Sequence, residues 1–90
     1  MKRYMIERNF PSGLAVPMDD AGAAIIDSVN DVDAADGVTW LHSYVSEDHT
    51  KTFCIYDAPS DDAVRAVARR NDLPVERITP VSVLAAHPYR

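Results

Sequence analysis

Two alternating stretches, residues 38–45 and 51–57, are joined by only five polar residues, "SEDHT". A connection that short makes two neighbouring strands pair antiparallel as a hairpin. On each side of the hairpin lies a segment of helical period. Before it, Ile25, Ile26, Val29 and Val32 recur at helical spacing behind Asp19 and Asp20, whose carboxylates suit a helix start. This predicts a first helix over residues 19–34, ended by Gly37. After the hairpin, Ser60 caps a second helix with Asp61 and Asp62 in its first turn and Ala63, Val64, Val67 and Ala68 as its apolar stripe.

Two further strands frame these elements. "RYMIER" (residues 3–8) alternates, with Tyr4 and Ile6 pointing one way and Met5 and Glu7 the other. "NFPSGLAVP" breaks that pattern with two prolines and a glycine and reads as a loop. "ITPVSVLA" supplies the last strand, and the tail "HPYR" reads as frayed. The order is β-α-β-β-α-β, the α+β split βαβ of the ferredoxin-like fold. It predicts a four-stranded antiparallel sheet, both helices on one face, and strands one and three in the centre. The 90 residues suffice for one such domain, residues 1–90.

Alternation then assigns the faces. Placing aliphatics under the helices puts Leu41, Val45, Phe53 and Ile55 inside. It leaves Trp40, His42, Tyr44, Cys54, Tyr56 and Glu7 together on the open face. A hairpin centred on Asp48 pairs Trp40 with Tyr56, Leu41 with Ile55, His42 with Cys54, and Tyr44 with Thr52. Such a face is too aromatic to leave in water, and it marks either a dimer interface or a ligand pocket.

Composition narrows the function classes. A formal charge of −5 argues against nucleic-acid or anionic-membrane binding, which need clustered Lys and Arg. The lone Cys54 excludes an internal disulfide and fits a reducing cytoplasm. "MKRYMIERNF" is too polar for a signal peptide, and no apolar run approaches a membrane span. There is no phosphate-binding glycine loop and no nucleophile elbow.

The quoted stretches, read in order, resemble a family of small bacterial nickel-binding proteins. The resemblance rests on "IER" followed by a proline loop, "WLHSYV", "CIYDAP", "AVARR" and "LPVERI". It implies a ferredoxin-like homodimer, a dimeric α/β barrel-like assembly that holds nickel or another divalent transition metal. By similarity Glu7, His42, Tyr44 and Cys54 fall on recurring polar positions of that family. Two departures stand out: Val67 occupies the place of a histidine, and Asn71 and Asp72 stand where glycines are usual.

Three functions follow as expectations. The first is a non-enzymatic, cytoplasmic metal-binding protein using His42, Glu7, Cys54 and Tyr44, with Trp40 and Tyr56 shaping the interface or pocket. Imidazole and thiolate suit nickel, and affinity falls as His42 takes up a proton. The second is a cofactor-independent monooxygenase or isomerase acting on a small aromatic or polyketide-like molecule. Its cavity would lie between sheet and helices or beneath the proline loop, with His42 or Glu7 as general base. The third is a dimeric interaction module in which His42 is merely hydrogen-bonded under an interface and Cys54 is a small buried hydrophobe. Asp19, Asp20, Asp27, Asp31, Asp33 and Asp36 read as the solvated side of the first helix, and His49 and His87 as solvated loop and tail residues.

Overall fold

A computed structural model describes residues 1–16 and 19–86. The elements are β1 (Lys2–Asn9), α1 (Asp20–Ala35), β2 (Thr39–Val45), β3 (Lys51–Ala58), α2 (Asp61–Arg70) and β4 (Arg77–Val81). They form one antiparallel sheet in the order β2-β3-β1-β4. This is the expected ferredoxin-like α+β arrangement, with β1 and β3 central. The last strand is shorter than the apolar run "ITPVSVLA" suggests, and Val83 and Leu84 lie exposed beyond it. The tail "HPYR", with His87, lies outside the described residues.

Both helices begin and end by the same chemistry. Asp19 accepts a hydrogen bond from the Gly22 amide at 3.1 Å, and Ser60 accepts one from the Ala63 amide at 3.2 Å. At the far end of α1, the Gly37 amide donates to the Ala34 carbonyl and the Val38 amide to the Asp33 carbonyl. At the end of α2, Asp72 donates to Arg69 and Leu73 to Ala68 in the same pattern. These are two Schellman closures, which require a left-handed residue just past the cap. Gly37 takes it freely at φ 71°, whereas Asp72 takes it with a side chain at φ 54°. The resemblance expected a glycine in this turn, and its backbone conformation explains that preference.

Their docking differs. Val64, Val67 and Ala68 of α2 are buried in a core with Tyr4, Ile6, Cys54, Tyr56 and Ala58. Helix α1 lies against β2 and α2, and only Gly22 and Asp33, near its two ends, are buried. The middle of its stripe stands free, with Ile25 48% and Ile26 38% exposed.

Strand β2 carries the main departure from simple alternation. Trp40 pairs with Tyr56 as expected, but His42 then pairs with Ile55, Ser43 with Cys54 and Tyr44 with Phe53. Leu41 is the extra residue of a β-bulge, which shifts the register by one and reverses the faces beyond it.

Candidate functional site

The sheet has two chemically distinct faces, and pairing across it fixes which residue is on which. Ile6 is fully buried and pairs with Cys54; Glu7 pairs with Phe53. Cys54 and Tyr56 therefore lie on the helix-covered face, against the expectation of an open face. Phe53 and Ile55 take the open face instead. The aliphatic-inside rule fails in β3 because both parities of that strand are apolar. The anticipated pairing of His42 with Cys54 is replaced by His42 with Ile55, so imidazole and thiol project from opposite sides of the sheet.

On the open face, His42 and Tyr44 are neighbours on β2. Their rings meet edge to face at 5.3 Å and 85°. Tyr44 is 63% exposed. Glu7 shares this face but sits beyond Phe53, two strands from Tyr44. At ordinary strand spacing that is roughly 10 Å. Its carboxylate lies 3.8 Å from the Arg77 guanidinium, a loose pair on an exposed edge. Among the described residues no three His, Cys, Asp or Glu side chains come together as a metal cluster.

On the other face a cleft of about 720 Å³ opens between the sheet, α1 and the proline loop. Its floor is Arg8, Trp40, Thr52, Cys54 and Tyr56; Ile25, Ile26 and Val29 form the helix wall; Phe10 and Leu14 form the loop wall. Trp40 and Tyr56, expected on the open face, line this cleft on the helix-covered face instead. Neither His42 nor Glu7, the anticipated general bases, lines it. His49 is exposed in the hairpin loop, as expected, at φ 60° and beside the cleft's edge.

Arg8 is the residue that sequence reasoning passed over. It is 3% exposed, because alternation from Tyr4 and Ile6 turns it inward. Its Nη1 donates to the Pro74 carbonyl at 2.8 Å and its Nη2 to the Tyr56 hydroxyl at 3.2 Å. The guanidinium also lies 5.9 Å from the Tyr56 ring centre. Its Nε is buried and has no partner among the described residues. Burial raises the Tyr56 hydroxyl pKa, against the opposing pull of Arg8. The signal in the sequence was a charged residue in phase with the core positions of β1.

Asp33 also departs from expectation. It is 1% exposed rather than solvated, and its Oδ1 accepts from Asn71 Nδ2 at 3.1 Å. Burial raises its pKa to about 6, while Asn71 and the charge on Arg8 pull it back. Asp48, by contrast, organises the hairpin turn. It accepts from Thr50 and Ser46, which lower its pKa to about 2.

Residues 4–81 match the family described as "Nickel responsive protein SCO4226-like". The chain belongs to the SCO4226-like family. Among solved structures, it is similar to SCO4226 from Streptomyces coelicolor A3(2), with a TM-score of 0.71 and 18% identity. The match covers 92% of this chain and 99% of that one. At that identity the likeness shows the shared fold. Among curated proteins none matches this chain. Val67, where the family resemblance anticipates a histidine, is 1% exposed in the core on the cleft side of the sheet. No helix among the described residues is long and apolar enough to cross a membrane.

Proposed function

We propose that this chain is a small, non-catalytic nickel-binding protein that acts as a homodimer, with His42 as the principal donor. The observation that carries this reading is the exposed His42–Tyr44 pair on the uncovered sheet face of an SCO4226-like protein. An imidazole held on a rigid strand is a suitable donor for Ni²⁺.

Among the described residues one chain does not complete a coordination shell. The open face offers one imidazole among the described residues, with Glu7 two strands away, while Cys54 lies behind the sheet. Apposing two open faces would double the donors and cover Met5, Phe53, Ile55 and Tyr44, which are too apolar to favour water. The dimer and the metal site are therefore one proposal: nickel holds two sheets together, or their pairing assembles its shell.

Calorimetric titration of Ni²⁺ into chelator-treated protein, with sedimentation velocity on the same samples, tests it. The expected result is saturable binding by a dimer that His42→Ala abolishes. Unchanged heats in His42→Ala remove His42 from the site, and absence of saturable binding ends the reading.

A further inference from the structure

The cleft beneath α1 lies on the far side of the sheet from His42 and plays no part in the nickel reading. Its polar groups have a common character. Arg8 contributes a buried cation whose Nε–H has no partner among the described residues. Tyr56 accepts from Arg8, and among the described residues nothing accepts the Tyr56 hydroxyl proton in return. Thr52 likewise accepts, from the Cys54 thiol at 3.6 Å, and Ser43 accepts from the Trp40 indole at 2.9 Å. Each of these hydroxyls keeps a proton to donate.

Nothing in the cleft answers those donors with charge. The chain has 14 acidic residues, and none lines it. Among the described residues Arg8 has no ion-pair partner within 4 Å. Asp33 is close enough for its field to be felt; its Oδ1 accepts from Asn71, its Oδ2 is buried with no hydrogen-bond partner among the described residues, and neither oxygen lines the cleft or reaches Arg8 within 4 Å. A buried guanidinium with no anion in direct contact is costly, so a site that keeps one is suited to receive an anion there. The walls are apolar, and the volume is that of a small-molecule site.

We infer that the cleft binds a small monoanion, with a carboxylate head group received by Arg8 and Tyr56 and an aromatic or branched aliphatic body between α1 and the sheet. The charge of the site selects the head group, and the half-exposed Ile25 and Ile26 cover the body. The inference concerns binding alone.

The probe is 2-naphthylacetate, with its uncharged amide for comparison, titrated calorimetrically and by ¹H–¹⁵N correlation spectra. Trp40 is the single tryptophan and lines the cleft, so its indole N–H signal locates the bound molecule. The acid should bind at one per chain, shift that signal, and bind at least tenfold more tightly than the amide. Arg8→Met should reduce the acid to the affinity of the amide. Because Arg8→Met removes buried hydrogen bonds and can compromise folding, Ile26→Trp gives an independent arm. It fills the cleft from its half-exposed rim and should abolish binding of both compounds while the spectrum stays folded. Equal affinity for acid and amide, an unmoved Trp40 signal, undiminished binding in Ile26→Trp, or no saturable binding would each overturn the inference. His42→Ala should bind the probe like the parent chain, which separates this result from that of the nickel titration.

Discussion

Helices α1 and α2 share their capping chemistry and differ in almost everything else. Each starts on an acidic or hydroxyl cap and ends in the same reverse turn. Yet α2 presses Val64, Val67 and Ala68 flush against the core, whereas α1 is a bridge, buried near both ends and free in the middle. Capping decides where a helix begins and stops; it does not decide how closely the helix docks. Docking follows from what lies opposite. The α2 residues Val64 and Val67 share one buried cluster with Ile6 and Ala58. Below α1 lies the cleft, floored by Arg8, Thr52 and Tyr56, which offer buried polar groups to the helix's isoleucines.

This contrast can be broken by experiment. Val67→Asp should have the largest effect, because it buries an unpaired carboxylate among apolar residues. The cost is on the order of 4 kcal/mol or more, a large share of a small domain's stability. Loss of cooperative urea unfolding would report it, and a stable Val67→Asp protein would show that α2 is not sealed.

Asp33 tests the anchored end of α1. Its folded pKa of about 6 lies above the ordinary carboxyl value, so the native state holds a proton that the unfolded chain releases. Its stabilising contribution is therefore full below about pH 4 and is lost as pH rises through about 6. On the order of 2 kcal/mol is at stake. Denaturation from pH 4 to 7 should show this decline in the parent chain. Asp33→Asn should flatten it and be the more stable protein at pH 7. A parent profile with no decline would mean that this end of α1 is open to water.

Ile26→Ser should have the smallest effect, about 0.5 kcal/mol by urea denaturation, since the side chain already meets solvent. A loss of several times that amount would show α1 closed onto the sheet in solution, and the cleft with it.

Much of the fold was legible because its signals are local. Ser60 and Asp19 announce their helices, and Tyr4 with Ile6 orients β1 without ambiguity. The faces of β2 and β3 were not legible, for two physical reasons. Leu41 breaks the period of two inside an otherwise regular strand, and no residue type there announces a bulge. In β3 the sequence Phe53-Cys54-Ile55-Tyr56 is apolar at every step. Only its pairing with the distant β1 decides that Cys54 and Tyr56 go inward. Arg8 could have been found from β1 alone, by trusting the alternation of that strand over the usual preference of arginine for water.

The bulge has a genetic corollary. Removing the codon for Leu41 would leave a shorter, regular β2 in which Trp40 still faces inward and His42 and Tyr44 still face out. Removing the neighbouring Ser43 codon would instead carry the imidazole to the inner side. Leu41 is slack in the ribbon, a place where the gene can shorten the middle of this strand without turning its chemistry inside out.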